Sequence, residues 1–289
     1  MSERKLEISN SKDMTIVFIG FDGYCDLWND CFELFNRFWP DCPYDILFVN
    51  NSKDVSYKNV KTLHAGEDAE WSRKVQIALQ NCDTQYICLL LEDFFVGDTI
   101  DNKSISKMVR FIKKEKMLYY KLVNMSRAVK NRDPQYKGYS FLHVIPESDE
   151  YGVSLQAAIW DKDYLTQKIG HGNYNAWKFE FDRVKESDMN NHAPRVGCVF
   201  DDRNVLKLRH GVVQSKYIPS TVAYFHRIGY NLNLQRECLS YIQYYKIQFS
   251  SLVKYLLPQS ARGKVKRFAE HLGMKFVSTT RDCEDSRTD

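Results

Sequence analysis

Glu92 and Asp93 are two adjacent acids set directly after an apolar run. In "QYICLLLEDFFVGD" (85–98) an apolar run leads straight into them, and Phe94, Phe95 and Val96 follow at once. Carboxylates beside such a run are costly to desolvate. Their natural partner is a hard divalent cation, Mg²⁺ or Mn²⁺, sharing oxygen ligands with a bound diphosphate. The plainer alternative is that one acid caps the next turn or helix. A second pair, Glu180 and Asp182, lies in "NYNAWKFEFDRV" (173–184) near a helix start. A carboxylate there can take a proton from a hydroxyl as general base, or it can simply complement the helix dipole. Trp177 offers a flat face to the apolar side of a sugar ring, against an ordinary place in the core. Gln156, between apolar neighbours in "YGVSLQAAIW" (151–160), is positioned to contact a ligand or to satisfy a backbone group.

The elements that position these residues follow from periodicity. "MTIVFIG" (14–20), "YDILFVN" (44–50), "VKTLHAG" (60–66) and "QYICLLL" (85–91) read as strands. Between them, 25–39 has Leu27, Cys31, Leu34, Phe35 and Phe38 at helical spacing, and 69–82 does the same with Trp71, Val75, Ala78 and Leu79. Alternating strands and helices imply crossovers, and so a Rossmann-like α/β fold with a mainly parallel sheet and helices on both faces. Ligands in such sheets lie beyond the carboxyl ends of the strands. That edge holds Gly20 to Asp22, Asn50 and Asn51, His64 to Gly66, and Glu92 with Asp93. Further strands are expected at 117–125, 139–145, 151–160, 195–200 and 205–211, with helices near 161–169 and 175–187. The expected organisation is a polar tail (1–13), a catalytic domain (14–229), a helical appendage (230–276) and a second polar tail (277–289).

With 44% hydrophobic residues and 14% aromatic, the 289-residue chain can bury a large core. A net charge of +4 with mixed signs gives no ground for a nucleic-acid partner. The basic excess is local: Lys254, Arg262, Lys264, Lys266, Arg267 and Lys275 follow Tyr241, Tyr244, Tyr245, Phe249 and Tyr255. Such a segment can rest on the anionic inner face of a membrane, or cap the sheet with a solvated basic face. No apolar stretch reaches bilayer length and the N-terminus lacks a signal-peptide core, so a cytoplasmic protein is expected. Eight scattered cysteines predict buried free thiols rather than disulfides or zinc. No GxGxxG follows the first strand, no GxxxxGK[ST] occurs, and "GFDGYCDLW" has no basic residue for a triphosphate. Dehydrogenase, P-loop and nucleotidyltransferase chemistry are disfavoured accordingly.

"YICLLLEDFFV" resembles the divergent DxD region of GT-A fold glycosyltransferases. "VSLQAAIWDKDYL" followed by "NAWKFEFDRV" is similar to bacterial polysaccharide glycosyltransferases that share an "SLQ-A-IW" strand and a "W-FE" segment. The likeness spans roughly residues 14–230. It implies transfer of a sugar from a nucleoside-diphosphate sugar, a UDP-sugar foremost, to a glycan or lipid-linked acceptor in capsule or lipopolysaccharide synthesis. By resemblance, Asp93 binds the metal with Glu92 in support, and Phe21, Asp22 and Asn50 hold the nucleoside. Arg73 and Lys216 approach the diphosphate, His210 the metal, and Gln156 the donor sugar. Glu180 is the base and Trp177 lines the acceptor. "LED" is not a strict DxD, so a metal requirement stays open. A non-catalytic sugar- or nucleotide-binding module of the same fold is the alternative.

Overall fold

A computed structural model describes residues 13–122, 134–188 and 190–256. Its centre is β1 (Met14–Ile19), every residue of which is buried. β1 pairs in parallel with β2 (Asp45–Asn50) on one side and β4 (Tyr86–Leu91) on the other. Beyond β2 lies β3 (Val60–His64), also parallel. The other half of the sheet is mixed. β8 (Ala158–Asp161) runs antiparallel to both β4 and β6 (Tyr119–Leu122). β9 (Pro194–Asp201) is parallel to β6, and β7 (Leu142–Pro146) is antiparallel to β9. The order is β3-β2-β1-β4-β8-β6-β9-β7, with only β8 and β7 reversed. The expected mainly parallel α/β sheet is thus observed.

Alternation along the strands divides the core into two layers. Ile16 and Phe18 face one side, with α1 (Trp28–Phe38) and α3 (Asn102–Glu115). Val17 and Ile19 face the other, with α2 (Trp71–Gln80), α4 (Lys162–Ile169) and α5 (Ala176–Lys185). The helix α3 escaped the sequence reading although Ile105, Met108, Val109 and Ile112 form an apolar stripe and Asp101 caps it through Lys103 N and Ser104 N. The seven described cysteines are free thiols; Cys31, Cys82, Cys88 and Cys198 are buried as expected, whereas Cys25 and Cys42 are half-buried and Cys238 is exposed.

Two segments depart from expectation for a common reason, namely that side chains take over the backbone's hydrogen bonds. Residues 151–157 are irregular, and the strand expected over 151–160 starts only at Ala158. Lys121 Nζ donates to the carbonyl of Tyr151 (2.6 Å), Tyr119 Oη to that of Ser154 (3.3 Å), and Leu155 N to Glu180 Oε1 (2.6 Å). Likewise 231–240, expected to be helical, forms an extended strap. Asn233 N donates to Asp30 Oδ2 (2.9 Å), and Arg236 clasps Asp26 with both contacts at 2.6 Å. Tyr230, Leu232 and Leu239 are buried, so the strap packs on the domain preceding it.

The smaller elements are β5 (Phe94–Val96), which pairs antiparallel with β10 (Leu208–His210), the hairpin of β11 (Val212–Val213) and β12 (Lys216–Tyr217), and α6 (Pro219–Arg227). α7 (Tyr241–Leu256) follows the strap and exposes Tyr241, Ile242, Tyr245 and Phe249. The basic stretch beyond it, and the helix expected over 261–273, lie outside the described residues. Among the described residues no helix is long and apolar enough to cross a membrane.

Candidate functional site at the carboxyl edge of the sheet

β4 ends at Leu91, and Glu92 and Asp93 form the turn into β5. Phe21 N, just past β1, donates to Glu92 Oε1 at 3.0 Å, so the ends of the two central strands are tied through this carboxylate. Glu92 is buried, and burial followed by the charge of Asp93 pushes its pKa up to about 8. Asp93 is partly accessible to solvent yet crowded by protein, and burial pushes it up to about 7. The carbonyl of Asp93 accepts from Gly211 N (2.7 Å), which holds the turn against the start of the β11–β12 hairpin.

Among the described residues a cation, Lys74, acts on Glu92. Lys74 of α2 is buried, donates from Nζ to the Gly20 carbonyl (2.9 Å), and lies 5.3 Å from the centroid of the Phe21 ring. Burial lowers its pKa, while Glu92, Asp22 and Glu70 act against that shift. The sequence reading missed Lys74, yet a signal was present: it sits three residues after Trp71 and four before Ala78, on the apolar stripe of α2. A charge there has to meet a polar partner at the sheet edge.

Asp22, Asn50 and Asn51 build the loops around the site. The Asp22 carboxylate accepts from Asn51 N (3.0 Å), Ser52 N (3.1 Å) and Lys53 N (3.1 Å). Asn50 is fully buried, with its amide spent on the Lys53 carbonyl (2.8 Å) and His64 Nδ1 (2.8 Å). Asn51 Nδ2 reaches the carbonyls of Gly66, Glu67 and Ala69. These polar groups hold backbone rather than facing solvent. What they leave presented is Phe21, 53% exposed at the end of β1. Gly23 permits that pose, because a Cβ there would fall 2.5 Å from a Phe21 ring carbon.

Glu180 and Gln156 arrive from the antiparallel side. In the β4–β8 register Leu89 faces Ala158, so residues 157–155 continue toward the level of 90–92. Glu180 is half-buried on α5, and its bond from Leu155 N fixes it beside Gln156. Burial raises its pKa, with Leu155 N and Lys121 opposing. Gln156 is half-buried and its side chain makes no hydrogen bond among the described residues. Trp177, on the same helix, is 62% exposed rather than part of the core.

The remaining expected residues are placed elsewhere. Lys216 pairs with Glu237 (2.5 Å) at the surface. Arg73 is exposed, bonds to Gln76 (3.3 Å), and faces α4 rather than the acid pair. His210 sits opposite Phe94 in the β10–β5 ladder and meets that ring edge-on, 4.7 Å between centroids. Its surface is accessible, but surrounding protein desolvates it enough to lower its pKa. Among the described residues no group of three or more His, Cys, Asp or Glu is spaced to hold a metal. Among the described residues the Glu92–Asp93 pair is the candidate holder of a cation, a fit for Mg²⁺ or Mn²⁺ only where diphosphate oxygens and water complete the shell.

No known family profile matches the chain, and no curated protein matches it in sequence. Solved structures similar to it include S. aureus TarS residues 1–349 in complex with UDP, at 10% identity and TM-score 0.42 over 65% of this chain and 60% of that one. Galactosyltransferase LgtC with donor and acceptor sugar analogues is 11% identical, TM-score 0.34, over 87% of this chain and 100% of that one. CMP:2-keto-3-deoxy-manno-octonic acid synthetase with CTP is 10% identical, TM-score 0.41, over 65% and 88%. The chain spans about 60% of the length of the TarS fragment. A galactosyltransferase is therefore among the structures it is similar to, and so is a CMP:2-keto-3-deoxy-manno-octonic acid synthetase. Such distant likenesses leave the reaction to be argued from the residues of this chain.

Proposed function

We propose that this chain is a nucleotide-sugar-dependent glycosyltransferase, moving a sugar from a nucleoside-diphosphate donor, a UDP-sugar foremost, to a glycan or lipid-linked acceptor of a surface polysaccharide. The carrying observation is the carboxylate pair at the end of β4, Glu92 buried and Asp93 partly accessible but crowded by protein, with pKa values pushed up to about 8 and about 7 and the Lys74 ammonium acting on Glu92. Unrelieved acids at the ligand edge of a parallel sheet mark a site built for a charge that the chain itself does not carry. Glu92 and Asp93 would hold Mg²⁺ or Mn²⁺, which supplies charge neutralisation at the diphosphate.

Phe21 presents its exposed ring to the nucleobase, backed by Lys74. Asp22 and Asn50 support this platform by holding the loops around it. Gln156 meets the donor sugar. Glu180 takes the proton of the attacking hydroxyl, a task suited to a carboxylate whose pKa burial has raised. Trp177 carries the acceptor sugar on its exposed face.

The test is a thermal-shift screen of UDP-, GDP-, CMP- and dTDP-sugars with and without Mn²⁺. A ligand at about 100 Kd stabilises by about 2.7 kcal/mol, which a melting curve resolves. Asp93→Ala is expected to abolish both transfer and donor hydrolysis, and an active Asp93→Ala enzyme refutes the role of that residue. Glu180→Gln is expected to retain donor binding and lose transfer. Donor binding without turnover on any acceptor would favour a non-catalytic module, and pyrophosphate release from a nucleoside triphosphate would favour nucleotidyl transfer.

A further inference from the structure

α2 has two polar faces that serve different places. Lys74 reaches the sheet edge under Phe21, whereas Arg73 and Gln76 face α4. Between α2 and α4 lies a recess of about 520 Å³ whose polar wall includes Arg73, Gln76, Lys162 and His171, and whose floor includes Leu79 and Ile169. The floor is apolar and buried. Gln76 Nε2 donates to the carbonyls of Gly170 (3.1 Å) and Gly172 (2.9 Å), fastening the loop after α4 as one side of the recess. Gly170 turns that loop with φ of 64°, in the region that favours glycine.

The charge balance of this recess is one-sided. No carboxylate lines it. Arg73 bonds only to the neutral Gln76, and Lys162 Nζ to the Cys82 carbonyl (2.5 Å); neither pairs with an acid among the described residues. Arg73 and Lys162 both line the cavity and have donors beyond those bonds, since a guanidinium carries five N–H groups and an ammonium three. Its volume lies within the roughly 300–1,000 Å³ of small-molecule sites. A guanidinium binds phosphate or carboxylate through paired hydrogen bonds, and an apolar floor suits the C–H face of a pyranose.

We propose that this recess binds a sugar bearing a negative group, with its phosphate or carboxylate on Arg73 and Lys162 and its ring over Leu79 and Ile169. It is a second site, on the side of α2 away from the carboxylate pair, and it does not depend on the donor-site proposal. A sugar phosphate and a uronic-acid unit of an acidic polysaccharide share the required chemistry.

The experiment is titration of the full chain, followed by melting temperature and by calorimetry, with glucose 1-phosphate, glucuronate, glucose and inorganic phosphate. Wild type, Arg73→Ala, Lys162→Gln and Asp93→Ala are compared. Glucose 1-phosphate, glucuronate or both are expected to bind saturably, and which of them does separates the two sources. Glucose is expected to give no response and phosphate a weaker one. Arg73→Ala and Lys162→Gln are each expected to weaken binding about tenfold, the loss of one charge-assisted contact, while Asp93→Ala leaves it unchanged. The proposal is overturned if neither anionic sugar binds, if glucose or phosphate binds as well as they do, or if Arg73→Ala leaves the affinity unchanged. Loss of binding in Asp93→Ala also overturns it, because the anion would then occupy the sheet-edge site.

Discussion

A carboxylate held above its ordinary pKa leaves a signature in the pH dependence of stability. Glu92 has an ordinary value of 4.5 and a folded-state value of about 8. Between these the unfolded chain releases the proton while the folded chain keeps it, so folding becomes less favourable as pH rises through the window. The stability associated with protonated Glu92 is complete below about pH 4.5 and lost by about pH 8. Glu92→Gln keeps an oxygen for Phe21 N and has no proton to lose. Its melting temperature should exceed that of wild type at about pH 8, with the gap closing toward about pH 5, in calorimetry across that range. A variant that melts below wild type throughout would show that Glu92 is not destabilised by its surroundings. Gly23 gives a second residue-scale test. Its Cβ would collide with Phe21, so Gly23→Ala should weaken donor binding about tenfold or more, in line with base–aromatic stacking of about 1–3 kcal/mol, with little change in melting temperature. Unchanged donor affinity would remove Phe21 from the nucleobase site.

At the scale of elements, the irregular 151–157 segment connects the sheet to Glu180. Lys121, buried on β6, satisfies the carbonyls of Tyr151 and Gly152, and its charge lowers the Glu180 pKa. Lys121→Met removes both effects. We expect a loss of about 1–3 kcal/mol in urea unfolding from the orphaned carbonyls. The Glu180 pKa should rise, which moves the acid limb of the pH–rate profile to higher pH. A stability loss with an unmoved profile would separate Lys121 from the proposed base. The sequence reading extended a strand through this segment because Val153, Leu155, Ala157 and Ile159 alternate. Which partner satisfies each backbone group was settled only by residues distant in the chain. α3 is the converse case: its stripe and Asp101 cap were local signals and needed no tertiary information.

The strap 231–240, with Tyr230 just before it, is tied to the loop and helix that follow β1. Tyr230 Oη donates to Asp30 (2.8 Å), and Arg236 bonds to Asp26 and to the Gly23 carbonyl (2.8 Å) while its guanidinium lies 3.9 Å from the centroid of the Tyr24 ring. Asp30 is buried and its pKa is raised by that burial, with Asn233 N and Tyr230 opposing. A chain cut after Gly229 would strip two donors from a buried acid and expose the packing sites of Tyr230, Leu232 and Leu239. Each side chain contributes about 1.5–3 kcal/mol when fully buried. Such a chain should show a markedly lower urea midpoint than one ending at residue 256, and equal midpoints would make the strap an appendage in the energetic sense.

Over the whole molecule, periodicity by itself determined the alternation of strands and helices up to β4, the parallel left half of the sheet and the placement of Glu92 and Asp93 at its ligand edge. These follow from local patterns, because a strand buried on both faces must be apolar along its length and must end where charges begin. Tertiary structure decided which polar residues stay free of backbone partners and which hold the chain. Asp22 and Asn50 have the same side-chain chemistry whether they touch a nucleotide or a loop, and the loop backbone occupies them. Arg73 and Lys74 are neighbours in sequence, yet the turn of α2 sends one to a recess and the other to the carboxylates. Direction around a helix relative to its sheet is set by packing, and neighbouring residues on one helix point about 100° apart.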